Sequence, residues 1–498
     1  MNGINKLRSE KADEELSKEL KLNAYSTDAS GLSGEALKVI APLDEKELQS
    51  IIVMNKNITI RGGGSGLMGG CVPASENSVV IDLSKMDKII DIDPARKTAV
   101  VEAGVILQEL NDRLEKYELE FPISPLSKSI CTIGGMLAVN ASGPRSTKYK
   151  RMADLVLEMD IVDGQGRLQR ISRIDASNFV GMEGITGVIY RAKLKLISRP
   201  KRSLTIYRSD ELFKVIELVR KLRLLPGVSI IQLFDGRLSL ILGLSNNYHL
   251  FVEFESNDGE FKGEDYKSRI KAVEELPWLI AQSGYVKSDD PKIFLDKLPD
   301  LSEYLSLNDI PYYANLGPGI IHPVFKENED DKINNLRMFV RKIRGQVAGT
   351  YGVGRLKKEF LDINDKKLVE RIKKRYDPKN KLNRGVIIDA GEGGERIDNE
   401  IKREISKEIA EETTKEAANK TDNINDTLKK ADALDEAAGT IKGAANKISE
   451  VNNTTKEINN ISDDIITEKF EKLLREVEEL DKELGKIKED NIQNEKTG

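Results

Sequence analysis

The sequence predicts an α+β chain of two mixed strand-and-helix regions followed by a charged helical tail, and three observations carry that expectation. Short β-branched runs such as NITI, VVIDL and TAVVE are mixed with amphipathic stretches. The segment DLVLEMDIVDGQGRLQRI has the alternation and tight glycine turn of a β-hairpin. Composition then changes near residue 390. From Ala390 to Gly498 there is no Pro, Cys, His, Trp, Tyr or Met, and Phe470 is the only aromatic residue, so this stretch closes no core of its own.

In chain order, Ala36 to Leu43 and Asn57 to Ile60 read as short strands around a helix carrying EKELQSIIV. A glycine-rich loop follows, then strands in VVIDLSKM and KIIDIDPARKTAVVEAG, a helix over 105–117, an apolar turn-rich segment and the hairpin. A second region, 201–385, mixes strands such as SLTIY and HLFVEFES with charged helices and ends in IKKRYDPKNKLNRGVII. GEGGER at 391–396 reads as a hinge, and 401–460 as a weak helical pattern broken by Asn- and Thr-rich pieces. Ile466, Phe470, Leu473, Val477, Leu480, Leu484 and Ile487 alternate steps of four and three, the a/d seam of a coiled coil over 466–487. The expected domains are 1–200, 201–390 and 391–498.

A chain of 498 residues with 39% hydrophobic residues can hold about three domains with real cores. A net charge of −5 gives no basic field for nucleic acid. Cys71 and Cys131 are too few and too far apart for a disulfide framework. The charged N-terminus lacks a signal-peptide core, and no apolar run reaches about 18 residues. The expectation is a soluble, cytoplasmic protein, with any membrane association made through a partner.

RGGGSGLMGG at 61–70 places six glycines in ten positions directly after a strand. Glycine permits φ > 0 and close approach to the backbone, and successive N–H groups in such a turn form an anion-binding concavity. A phosphate cradle is the first reading. The dinucleotide G-x-G-x-x-G spacing is missed, the following VPASENSVV is turn and strand, and no Gly-Lys-Ser/Thr follows.

TIRGGGSGLMGGCVP, VVIDLSKMDKIIDIDP and TAVVEAGV together resemble the PCMH-type FAD-binding domain of the vanillyl-alcohol oxidase/p-cresol methylhydroxylase superfamily. Within it the chain resembles the FAD-linked D-lactate dehydrogenase and glycolate oxidase flavin-subunit group, through FPISPLSKSICTIGGMLAVNASGPRSTKY, FVGMEGITGVIYRAKLKLI, ANLGPGIIHP, GTYGVGRLKKEFL and YDPKNKLNRGVI. The resemblance covers about 25–390 and implies a two-subdomain FAD-binding domain, a substrate (cap) domain and FAD as cofactor. It implies that Gly62, Gly63, Gly64, Ser65, Gly66 and Leu67, with Arg61 beside them, hold the pyrophosphate. Ser127, Thr132, Gly134, Gly135, Asn140 and Gly143 fall on the flavin side, and Glu183, Gly187 and Ile189 on the adenosine side. Asn383 closes the site. Relatives often tether FAD through a histidine near the loop, whereas His249 and His322 both lie far from it, so FAD is expected to be noncovalent. Ile123-Ser124-Pro125-Leu126 also departs from the relatives' P-D-P-S.

The substrate motifs depart further. Where relatives have metal-ligating histidines and a glutamate, this chain has Asn315, His322, Thr350 and Tyr351, and only His322 of the ionisable set remains. Zinc wants at least three good ligands, so no metal is expected. The resemblance implies oxidation of a small 2-hydroxy acid such as D-lactate or glycolate. His322 is the expected base, Tyr351 a hydrogen-bond donor, and Lys287 and Lys357 the carboxylate-binding cations. Electrons would leave to an iron–sulfur partner protein, a quinone or another acceptor, since the cysteine-free tail ligates no cluster. Two other readings stand beside this one: oxidation of a different alcohol, such as a sugar acid or polyol, and a non-catalytic flavin-binding scaffold. The tail is expected to serve self-association or partner docking.

Overall fold

The computed structural model describes residues 22–74 and 77–389. The charged N-terminus, the hinge, the spacer and the heptad seam at 466–487 lie outside the described residues.

The first region opens with a parallel sheet in which strand Ser78–Asp82 lies between Ala36–Ile40 and Ile58–Arg61. Every residue of that central strand is buried, as a parallel strand covered on both faces requires. The connecting helix, Glu45–Met54, starts at Asp44, whose carboxylate accepts from the amides of Lys46 and Glu47, a cap that contributes about 1 kcal/mol. Its Leu48 and Ile52, four residues apart, bury one stripe against Ile58 and Ile81.

An antiparallel sheet follows, ordered Ile89–Asp93, Thr98–Glu102, Gly187–Lys195, Val156–Asp163, Leu168–Ser172. Helix Leu107–Glu115 packs Leu107, Leu110 and Leu114 onto its core. The hairpin expected from sequence is present as Val156–Asp163 and Leu168–Ser172. The turn-rich stretch before it carries three short helices, Ile133–Ala138, Ser146–Tyr149 and Met152–Leu155, that its two adjacent glycines and Pro144 had disguised.

The second region is a six-stranded antiparallel sheet ordered Ser203–Ser209, Tyr248–Phe254, Val228–Phe234, Tyr312–Asn315, Ile320–Phe325, Lys287–Ser288. Helices Leu212–Leu222, Leu298–Leu307 and Asp330–Lys342 cover one face. Helices Gly236–Ile241 and Leu276–Gln282 contribute to the core on the other. The regions are joined by Arg145, whose guanidinium makes a bidentate pair with Glu253 at 2.8 and 2.9 Å. Burial alone would raise the Glu253 carboxyl, but Arg145, Arg202 and a hydrogen bond from Ser229 hold it down at about 2.

The chain end does not stay with the second region. After helix Ile363–Tyr376, Tyr376 packs on Phe179 at 4.8 Å, and Leu382 bridges Ile58 as an added parallel partner. By packing, the residues around 376–387 complete the first region, although they fall within the expected 201–390 domain.

Candidate functional site

Strand Ile58–Arg61 delivers the chain into the glycine loop, and the loop has no room for a side chain at Gly63. A Cβ on Gly63 would lie 1.9 Å from the Ile130 carbonyl oxygen, and Gly64 sits at φ +68. Among the described residues, no hydrogen bond is donated by the amides of 63–67, so these N–H groups remain available to a ligand. Facing them is the segment 132–135, where Thr132 caps the helix by accepting from the Gly135 amide at 3.3 Å. Asn383 joins the walls: its amide oxygen accepts from Ile60 N, and its amide nitrogen donates to Glu183 O. The Glu183 carboxylate accepts from the amides of Val353 and Gly354, yet full burial pushes its pKa up to about 7.

These walls enclose a cavity of about 750 Å³ that runs on to the six-stranded sheet. There the strand register assembles the far end. Gln232 lies opposite Asn315, and Tyr313 lies opposite His322, so the four side chains share one face of three adjacent strands. The Tyr313 and His322 rings stack at 4.5 Å, and the Tyr351 ring lies tilted 5.3 Å from His322. The Tyr351 hydroxyl is 3.5 Å from both Tyr313 Oη and Ser288 Oγ. Asn315 Nδ2 approaches His322 Nε2 at 3.2 Å. Three buried polar atoms here have no partner: Gln232 Nε2, Asn315 Oδ1 and His322 Nδ1. Each belongs to a residue lining the cavity, which is where a ligand would satisfy it.

The end of the cavity is electrically neutral. Burial, with the nearby Lys357 charge, lowers His322 to about 3, so its imidazole is uncharged at neutral pH. Burial pushes the Tyr313 phenol up to about 12 and that of Tyr351 well above its ordinary value. Behind the rings, Asp290 accepts from the amides of Gly349, Thr350 and Tyr351 and pairs with Lys357, fixing the turn that presents Tyr351. Thr350 Oγ accepts from Ser142 N at 2.9 Å, tying that turn to the first region. Lys357 also pairs with Asp289, which Arg337 holds from the opposite side at 2.7 Å.

Two families match this chain: "FAD binding domain" over residues 36–172 and "FAD linked oxidases, C-terminal domain" over 312–387. The chain carries the FAD-binding and C-terminal domains found in FAD-linked oxidases, and FAD is its cofactor. It is 26% identical to D-lactate dehydrogenase of Archaeoglobus fulgidus, over 72% of this chain and 92% of the relative. It is 25% identical to glycolate oxidase subunit GlcD of Bacillus subtilis, over 72% and 90%. To the D-2-hydroxyglutarate dehydrogenase of Xanthomonas citri pv. viticola it is 23% identical, over 72% and 91%. Its fold is similar to that of an alkyldihydroxyacetonephosphate synthase at TM-score 0.54 and 16% identity, over 69% of this chain and 75% of that one. The uncommitted amides of 63–67 and the side-chain-free cradle around Gly63 fit the pyrophosphate of FAD.

Of the flavoprotein's sequence-predicted residues, Gly62, Gly63, Gly64, Ser65, Gly66, Leu67, Ser127, Thr132, Gly134, Gly135, Gly143, Glu183, Gly187, Ile189 and Asn383 all line the cavity, as do Lys287, His322 and Tyr351. Three do not. The Arg61 guanidinium turns away to the carbonyls of Thr27 and Ala24. Asn140, at φ +52, spends its side-chain oxygen on Ala153 N and shapes a turn. Lys357 is no carboxylate-binding cation: it is buried behind the site, held charged against burial by Asp289 and Asp290. Lys287 reaches the cavity wall, but its ammonium is engaged by Asp330 at 3.0 Å and by the Glu327 carbonyl. Sequence reasoning missed Gln232, Tyr313 and Ser288. An alternating strand shows only which residues share a face, and nothing in QLF or PYYAN marked the face that meets the cofactor. No three His, Cys, Asp or Glu side chains converge as metal ligands among the described residues, and no described helix is long and apolar enough to cross a membrane.

Proposed function

We propose that this protein is an FAD-dependent dehydrogenase that oxidises a hydroxyl-bearing carbon of a small molecule, the reaction class named by its D-lactate, glycolate and D-2-hydroxyglutarate relatives. The observation that carries the reading is the set of unpartnered polar atoms, on His322, Asn315 and Gln232, at the end of the FAD cavity. FAD supplies the hydride acceptor. The chain's own residues hold the substrate oxygen and manage its proton. In the recorded amide orientation, Asn315 Oδ1 accepts the substrate O–H while His322 Nδ1–H donates to the oxygen; with the amide turned over, Nδ1 is the bare acceptor. An imidazole of such low basicity does not pull the proton from a resting alcohol. With the amide turned over, its bare Nδ1 takes the proton as hydride leaves carbon, because a protonated carbonyl is far more acidic than an imidazolium. Tyr313 and Tyr351 wall the site against water, and Tyr351 directs its hydroxyl with Ser288.

FAD is held without a covalent bond, since neither histidine lies at the glycine loop and His322 sits at the substrate end. The electrons pass on to a separate acceptor, and the tail at 466–487 docks that partner or a second copy. Anaerobic flavin bleaching by a panel of hydroxy compounds tests the activity. A yellow protein that dithionite reduces, but no hydroxy compound does, refutes it. Flavin remaining on the acid-precipitated chain refutes the noncovalent attachment. For the tail, truncation after Asp389 should leave flavin reduction intact while changing oligomeric mass or acceptor coupling.

A further inference from the structure

We propose that the substrate enters as an uncharged molecule: an alcohol with an apolar body and a neutral hydrogen-bonding group beside the reacting carbon, not a free 2-hydroxy acid. This rests on the dehydrogenase reading above and narrows it.

The walls of the cavity carry the argument. Among the described residues Lys287 is the only Lys or Arg that lines it, and Asp330 and the Glu327 carbonyl already hold that ammonium. Arg145, the guanidinium nearest in sequence to the lining segment 141–144, is held in a bidentate pair by Glu253. His322 supplies no positive charge at neutral pH. A carboxylate carried to the His322 end would therefore shed its water against Tyr313, Tyr351, Gln232 and Asn315, none of which bears a compensating charge. Burying an unpaired carboxylate costs several kcal/mol, and hydrogen bonds from neutral donors return only part of that. Lys357 stands behind this wall with the right charge and the wrong partners: Asp289 and Asp290 together outnumber it, and Arg337 is needed to balance them.

A neutral ligand meets a better set of partners. In the recorded orientation Gln232 Nε2 and His322 Nδ1 are donors and Asn315 Oδ1 is an acceptor. A hydroxyl that donates to Asn315 and accepts from His322, with a neighbouring carbonyl or hydroxyl oxygen accepting from Gln232, satisfies all three. On the remaining side helix Leu276–Gln282 and the connection after it present Pro277, Ile280, Ala281 and Val286, with Leu126 and Val324. That apolar wall gives the rest of the substrate a hydrophobic seat. The redox balance is unchanged by the substrate's charge. The C–H bond would break with its electron pair going to bound FAD, the O–H proton would pass to His322 Nδ1 once the Asn315 amide turns over and donates to the oxygen in its place, and C=O would form.

The test is a matched set presented anaerobically to the FAD-loaded full chain, with bleaching of the flavin band recorded: D-lactate beside its methyl ester and amide, and 2-hydroxyoctanoate beside its methyl ester and 1,2-octanediol. The expected result is that at least one neutral member of a set reduces the flavin with an efficiency, limiting rate over apparent Kd, at least tenfold above its acid. An acid that equals or exceeds every neutral counterpart overturns the inference and leaves the dehydrogenase reading standing. If no member of either set reduces a flavin that dithionite does reduce, the dehydrogenase reading itself falls, and this inference with it.

Discussion

Raising the pH should destabilise the flavin-free protein more than its Glu183→Gln variant. The Glu183 carboxyl is fully buried, and its pKa is carried from an ordinary 4.5 to about 7, chiefly by burial and against the hydrogen bonds from Val353 and Gly354. The folded state therefore keeps this proton where the unfolded chain has released it, and stability falls as pH rises from about 4.5 through about 7. At about 1.4 kcal/mol per pH unit, the cost reaches roughly 3 kcal/mol once the folded group has ionised. Below 4.5 both states are protonated and the cost vanishes. Gln removes the titration while keeping one oxygen for the two amides. Other buried groups titrate in the same window, among them Asp235, raised to about 6 by burial, but they do so in both proteins and cancel in the difference. Urea unfolding of both flavin-stripped proteins at pH 5, 6, 7 and 8 measures that difference. The variant should gain on the parent by about 2–3 kcal/mol across the series. Parallel stability curves would show that Glu183 is ionised in the fold throughout, and would refute the reasoning.

Lys357→Met leaves the carboxylates of Asp289 and Asp290 facing one another with only Arg337 to balance them. A loss of about 3–5 kcal/mol in urea unfolding is expected, and an unchanged midpoint would count against the network. Gly63→Ala forces a methyl onto the Ile130 carbonyl, so the variant should purify folded by circular dichroism but without the flavin absorbance. Tyr351→Phe deletes the hydroxyl that lies between Ser288 and Tyr313. FAD content should hold while the rate of flavin reduction drops about tenfold, the equivalent of one hydrogen bond at about 1.4 kcal/mol; an unchanged rate would remove Tyr351 from the site.

The cofactor half of the molecule was far more legible in sequence than the substrate half, and the reason is physical. A glycine that must lie against a carbonyl, as Gly63 does, has no substitute, so the requirement is written in the residue itself. Local alternation likewise fixed the hairpin of Val156–Asp163 and Leu168–Ser172, because a strand and its turn are neighbours in the chain. The substrate end depends instead on register between strands far apart in sequence, which alone sets Gln232 opposite Asn315. The lysines illustrate the same limit. Lys287 and Lys357 look alike in a charged sequence, and only packing makes one a tethered wall residue and the other a buried counter-ion. Nothing in KSDDP marked Asp290, yet its carboxylate organises the turn that carries Thr350 and Tyr351. Arg61 was assigned to the cofactor by its position beside the loop, but a long side chain can leave the site its backbone borders, and here it reaches Thr27 instead.

Asn383 also sets an order of events. The last stitch in the FAD groove joins it to Ile60 across 323 residues of chain. At about 5–20 residues per second, a ribosome exposes Ile60 roughly 15–65 s before Asn383 follows. For that whole interval the nascent groove lacks the group that pins its two walls together, while the six-stranded sheet between them is being made. The cofactor pocket is thus a late product of synthesis. An amino-terminal fragment, however well its two sheets form, would lack the clasp, and loading with flavin would report that the chain had been made through residue 383.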